Sequence, residues 1–228
     1  MGRRQDRVAR QKRRGLLGLR PYYFVLIGLF GLVWTWAAIA PHDRGAWFLE
    51  NLLVVVFVPL FLVAARYFRL SDVSYGLVTL FLVLHVVGSH YTYAEVPFGY
   101  TLQRWLGADR NMYDRLVHFS FGLLLALPVR ESFVVLASLK GFWSYYLPFD
   151  LTLSFSAVYE ILEWAAVQVA NPGAGLAFLG TQGDEWDTQK DMALASSGAL
   201  IAMVLAALFL RSYRTRRDGL SAAETVAS

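Results

Sequence analysis

The sequence predicts an all-α, polytopic helical membrane bundle of about six transmembrane helices with both termini cytoplasmic. Three observations predict it. Of the 228 residues, 57% are hydrophobic and only 17% charged, whereas a soluble domain has about a quarter of its residues charged. The apolar residues gather into uncharged stretches long enough to cross a hydrocarbon core of about 30 Å. The basic residues gather at the ends and in short turns, sixteen of the 21 Lys and Arg on one predicted side and five on the other, which is the positive-inside bias.

The elements follow in chain order. Residues 1–20 form a basic cytoplasmic tail with Arg3, Arg4, Arg7, Arg10, Lys12, Arg13, Arg14 and Arg20. Residues 21–210 form the membrane domain, and residues 211–228 a basic, then flexible, cytoplasmic end. The first span covers Pro21 to Ala40. It is too long for the roughly 7–15-residue apolar core of a signal peptide. Pro41 to Gly45 breaks the pattern, and a second span runs from Trp47 to Ala65. Arg66, Arg69 and Asp72 mark a turn before the third, Val73 to Ser89. A mixed loop, His90 to Tyr113, leads to a short fourth span from Asp114 to about Arg130. Ser132 to Leu147 carries Lys140-Gly141 in its middle and reads as an interfacial segment, with Trp143, Tyr145 and Tyr146 in the inner aromatic belt. The fifth span runs from Pro148, suited to a first helical turn, to Val169, where Asn171-Pro172-Gly173 ends it. The sixth runs from Asp191 to Leu210.

The composition also excludes chemistries. There is no cysteine, so disulfides and thiolate metal sites are ruled out. The basic tails suit anionic lipid headgroups, so membrane lipids are the expected partners and nucleic acid is not. No protein partner is indicated. Gly180-Thr181-Gln182-Gly183-Asp184 has neither the preceding strand nor the Lys-Ser/Thr of a phosphate-binding loop, and no Gly-x-Ser-x-Gly elbow occurs.

Threaded through this topology, all four histidines (His42, His85, His90 and His118) and most carboxylates fall in the outer half. Asp114 and His118, spaced i, i+4, share one helix face, an arrangement used by acid–base pairs and metal sites. Glu160 and Glu163, spaced i, i+3, lie within the fifth span, Glu160 near mid-bilayer, where an unpaired carboxylate costs several kcal/mol. Asp187 and Asp191, again i, i+4, open the sixth span, where acids also suit a helix start. Asp114, His118, Glu163, Asp187 and Asp191 are therefore candidate ligands of a divalent metal ion. Glu160 and His90 are candidate acid–base residues, with Asn111, Arg115 and Gln189 in support. A hydrogen-bond network that only pins helices together is the structural alternative. For His85 it is a satisfied interior histidine, and for His90 an aromatic anchor at the interface.

These residues carry a family resemblance. His90-Tyr91-Thr92-Tyr93 with Pro97 and Gly99, then Arg110-Asn111 with Asp114-Arg115 and His118-Phe119, then Glu160 with Glu163-Trp164, then Gly180-Thr181-Gln182-Gly183-Asp184 with Trp186-Asp187, resemble the YjdF-like bacterial inner-membrane proteins over Pro21 to Leu210. The resemblance implies an inner-membrane location and supplies no activity. More distantly, Asp114-Arg115-Leu116-Val117-His118-Phe119 is similar to VanZ-like membrane proteins, with departures at Glu163, at Asp191 and in the Gly180–Trp186 loop. Three functions follow as expectations: an envelope- or lipid-related enzyme with a periplasm-facing metal site, a proton- or ion-coupled carrier using Glu160, or a non-catalytic envelope protein.

Overall fold

A computed structural model describes residues 21–169 and 182–226. The predicted N-terminal tail and the Asn171-Pro172-Gly173 stop lie outside the described residues. Those residues form seven helices and no strand: α1 (Pro21–Ala37), α2 (Arg44–Tyr67), α3 (Asp72–His90), α4 (Pro97–Leu106), α5 (Tyr113–Leu136), α6 (Trp143–Val169) and α7 (Asp187–Val226). Four are long and apolar enough to cross a membrane, namely α2, α3, α5 and the Asp187–Arg211 part of α7.

Local chemistry sets the boundaries. Asp43 caps α2 by accepting from the Ala46 N–H at 2.8 Å, and Ser71 caps α3 by accepting from the Ser74 N–H at 3.1 Å. Both supply an acceptor to an N–H that the helix leaves unpaired. Glu131 on α5 accepts from the Ser71 N–H and hydroxyl, at 2.8 and 2.7 Å, tying the α2–α3 turn to the far end of α5. Pro97 opens α4, a helix where the sequence predicts only loop, and Gly107 ends it with φ +63°, a left-handed conformation that glycine adopts without Cβ strain.

Three boundaries differ from the sequence reading. α5 continues past Pro128 and Arg130 to Leu136, because those residues are accommodated inside the helix rather than ending it. The Ser132 hydroxyl donates to the Pro128 carbonyl at 2.9 Å, and the Arg130 guanidinium lies 4.4 Å over the Tyr145 ring. Consequently Ser132 to Leu147 is not one separate segment. Its first part completes α5, its last part opens α6, and a turn with Ser138 at φ +54° and Gly141 at φ +57° joins them. α6 therefore begins at Trp143, with Pro148 inside it. Finally, α7 begins at Asp187 and runs as helix to Val226, through the stretch read as a flexible end.

The central pair is α5 and α7, which run parallel from a common end. A methyl group added at Gly122 would overlap the Ala195 carbonyl oxygen, and one at Gly198 would overlap the Phe119 carbonyl oxygen. Small residues allow this backbone approach, and in a membrane such close packing takes the place of the hydrophobic effect as the force holding helices together. Ala126, Ala199, Ala202 and Met203 continue the seam. α6 packs against both α5 and α7, and α3 packs on the opposite side of α5 with α1 behind it. The backbone of α2 comes close to that of α3 only and stays more than 8 Å from that of α6, while side chains tie α2 to α1, the Trp34 indole N–H donating to Asn51 Oδ1 at 2.7 Å.

Candidate functional site

The common end of α5 and α7 collects the polar residues. Two turns before the Gly122–Gly198 crossing, Arg115 enters from α5 and is 6% exposed. Its guanidinium donates to Asp187 Oδ1 at 2.6 Å, to Asp184 Oδ2 at 3.0 Å and to the Asp187 carbonyl at 3.1 Å. It also pairs with Asp191 Oδ2. Arg110, just before α5, pairs with Asp187 and reaches Asp114 Oδ2 at 3.4 Å. The planar fork of an arginine can serve several carboxylates at once, which a lysine ammonium does less well. Lys190 closes the outer edge, donating to Asp184 Oδ1 at 2.9 Å and Oδ2 at 2.7 Å. Those bonds, helped by the Trp186 N–H, hold the Asp184 carboxyl at about 2, below the ordinary carboxylate range.

Beneath this clamp lies a second cluster. Asp114, His118 and Asp191 each offer a ligand atom, and the three atoms all lie within 4.8 Å of one another. His118 Nε2 is 3.5 Å from Asp114 Oδ1 and 3.7 Å from Glu160 Oε1. Glu160, 6% exposed, and Asp191, 2% exposed, each keep one oxygen, Oε1 and Oδ1 respectively, that is buried and accepts no hydrogen bond among the described residues. An orphaned buried carboxylate oxygen is costly and calls for a partner. Ligands held at about 2.0–2.2 Å from one cation stand at most about 4.4 Å apart, so atoms that lie within 4.8 Å of one another need to close by no more than about 0.4 Å to share an ion. Glu160 lies level with His118, roughly 7–8 Å along from the start of α5 at the helical rise per residue. It stands past the middle of α6, toward the polar end.

The remaining predicted residues are dispersed. Asp187 belongs to the arginine clamp rather than to the three-residue cluster. Glu163 is half-buried and lies outside that three-residue cluster, near Glu160, Glu50 and Tyr159. Gln189 is exposed. Asn111, 1% exposed, organises the loop: its amide donates to the Val96 carbonyl at 2.9 Å and its Oδ1 accepts from the Tyr113 N–H at 3.0 Å. Gln182 reaches across to the Asn111 backbone. His90 is held apart from the cluster, with Nδ1 3.1 Å from the Ala37 carbonyl oxygen and its ring stacked on Trp36 at 4.5 Å. His85 is an interior histidine with both nitrogens engaged, Nδ1 by the Tyr93 hydroxyl at 2.6 Å and Nε2 by the Glu50 carbonyl at 3.2 Å.

Sequence reasoning missed three contributors. Tyr93 sits in a turn with Thr92 and Tyr93 itself at φ +55° and +56°, strained for residues with a Cβ. The turn folds its ring back over Gly88, where a Cβ would come within 2.6 Å of it. Burial pushes the Tyr93 phenol well above its ordinary range. Glu50 is 4% exposed and accepts from the Tyr159 hydroxyl at 2.9 Å. A lone acid in an apolar helix was a signal available in the sequence. Arg110 had none, because its role depends on Asp187, which is far away in the chain.

Below His118 and Tyr159, a cavity of about 400 Å³ runs between α2, α3, α5 and α6. Asp114, His118, His85, Tyr93 and Tyr159 form its polar end. The rest is almost wholly apolar and extends to Leu70, Pro128 and Ser132.

A fold with several membrane-length helices and a buried polar end defines an integral membrane protein. The family described as predicted membrane protein (DUF2238) matches residues 22–212, and the chain belongs to that family. It is 41% identical over 190 residues to the inner membrane protein YjdF of Escherichia coli (strain K12), covering 83% of this chain and 90% of the relative. No solved structure matches the chain significantly.

Proposed function

We propose that the chain is a multi-pass inner-membrane protein whose periplasmic end holds a divalent cation between Asp114, His118 and Asp191, with Glu160 beside it. In this reading α1, α2, α3, α5, α6 and α7 are six spans and both termini are cytoplasmic. The distribution of Lys and Arg supports that orientation, with Arg66, Arg69, Arg130, Lys140 and Arg211 at the end opposite the site. The location is also that of the relative YjdF, named an inner membrane protein.

The observation that carries the cation is the pair of buried oxygens that accept no hydrogen bond among the described residues, Glu160 Oε1 and Asp191 Oδ1, beside a histidine. A mixed imidazole and carboxylate set suits Zn²⁺ or Mn²⁺. Such an ion activates water or polarises a phosphoryl oxygen, and Glu160, at 3.7 Å from His118, is placed to exchange a proton there. The function is then that of an envelope- or lipid-related enzyme, with Asp184, Asp187 and the arginines forming the scaffold and His90 an anchor.

The test is elemental analysis and Mn²⁺ titration of the purified full chain in detergent. Stoichiometric metal in the wild type, lost in His118→Ala and Asp191→Asn while both remain folded, is the expected result. A folded wild type that takes up neither Mn²⁺ nor Zn²⁺ ends the proposal.

A further inference from the structure

The geometry points to an acyl-chain site: the cavity between α2, α3, α5 and α6 takes one fatty chain of an outer-leaflet phospholipid, entering sideways between α2 and α6. Three observations carry it. The first is size. A dry apolar cavity of about 150 Å³ holds a benzene, so about 400 Å³ accommodates a chain on the order of 15 carbons. From Asp114 to Ser132 the cavity follows α5 for roughly 27 Å at 1.5 Å per residue, more than the roughly 15 Å depth of one leaflet.

The second is access. The backbones of α2 and α6 stay more than 8 Å apart. The cavity residues Phe57 on α2 and Phe155, Val158 and Leu162 on α6 are also half exposed on the outside of the bundle. They are the lips of a seam between α2 and α6, bridged by the edge contact of Phe57 with Phe155 at 6.3 Å between centroids, which an entering chain would part. The medium there is phospholipid, and a gap lined by Val54, Val58, Phe81 and Phe121 offers a chain the same apolar surroundings it leaves.

The third is polarity along the axis. The acids, imidazoles and phenols at the cavity wall, Asp114, His118, His85, Tyr93 and Tyr159, gather at one end, while farther along Ser156, Thr152 and Ser132 bring only hydroxyls, the last two bonded back to carbonyls of their own helices. An amphiphile is oriented by such a gradient, tail along α5 and ester or phosphate oxygens toward the His118 imidazole. Chain binding stands without any cation; only the placement of the head beside His118 rests on the reading above.

The experiment uses the full chain in phosphatidylethanolamine–phosphatidylglycerol vesicles carrying a phosphatidylethanolamine with a diazirine in one acyl chain, irradiated in the presence of EDTA, with adducts mapped by mass spectrometry. Val54 and Val117 line the cavity at 5% exposure, out of reach of lipid that merely surrounds the bundle. Adducts on both are expected, and they should fall at least tenfold in Val158→Trp, which narrows the seam, while labelling of the outward-facing Leu60 and Phe209 stays constant. Adducts confined to Leu60 and Phe209 overturn the proposal, as does labelling of Val117 that Val158→Trp leaves unchanged. Chelation removes the cation question from this readout. Mn²⁺ titration of Val158→Trp, expected within twofold of wild type, shows whether the cation site has failed separately.

Discussion

The Tyr159 hydroxyl on α6 donates to the Glu50 carboxylate on α2 at 2.9 Å, bridging the two helices whose backbones otherwise stand apart. Besides that bond, an edge contact between Phe57 and Phe155 with centroids 6.3 Å apart spans the same gap. Tyr159→Phe removes the donor and leaves a buried carboxylate without it. The expected loss is about 1–3 kcal/mol, read as a lower melting temperature in detergent. The chain has no cysteine, so spin labels at Phe48→Cys and Ile161→Cys report the α2–α6 distance cleanly. The distribution should broaden in the Tyr159→Phe background, and an unchanged distribution would show that the bond does not hold α2 in place.

Arg115 serves Asp184, Asp187 and Asp191 together. Arg115→Met leaves buried carboxylates without their shared counter-charge and should cost about 3–5 kcal/mol. Arg115→Lys should recover only part of that, since an ammonium cannot reproduce the fork. Unfolding of both variants by SDS titration decides the matter. A lysine variant indistinguishable from wild type would mean that charge alone, and not geometry, is required.

The α5–α7 crossing gives a paired prediction. Gly198→Ala sets a methyl group against the Phe119 carbonyl oxygen, whereas Gly28→Ala on α1 meets nothing within 4 Å. The first should destabilise by about 1–3 kcal/mol through overpacking. The second should be neutral or stabilising by up to about 1 kcal/mol through helix propensity. Melting temperatures of the two variants, side by side, check the contrast.

Asp184 predicts an acid-sensitive contribution. Its carboxyl is held at about 2, below the ordinary value of 3.8, chiefly by Lys190. A depressed folded-state value stabilises the fold at pH above about 4, and that stabilisation is lost as pH falls toward 2. The difference in melting temperature between wild type and Asp184→Asn should be constant from pH 5 upward and shrink as pH falls from 4 to 2. A difference independent of pH over that range would show that the Lys190 pair makes no such contribution.

Hydropathy and the spacing of acids made the helices and the polar end readable in advance, because both are local properties of the chain. Asp114 with His118, and Asp187 with Asp191, are each one turn apart, so a helix of either hand of tilt keeps each pair together. What could not be read was which pair faces which partner. Asp191 meets His118 while Asp187 turns to Arg110, and that division follows from the rotation of α7 fixed by Gly122, Ala195 and Gly198. The ends of α5 and α6 were misplaced because Pro128, Arg130 and Lys140 look like helix stops until Ser132 and Tyr145 are seen to accommodate the first two. His90 was drawn into the site by residue type alone, and only the fold could show it turned toward Ala37.

The charge complementarity between α5 and α7 also bears on biogenesis. Arg115 lies in a segment synthesised well before Asp187 and Asp191, so on leaving the translocon α5 carries a buried-type cation without its counter-charges, and α7 later brings the acids. Each helix alone meets the lipid with a penalty that the other removes. The two must therefore lodge side by side before the polar end of either is settled, and a chain truncated ahead of residue 187 should be recognised by membrane quality control as unfinished.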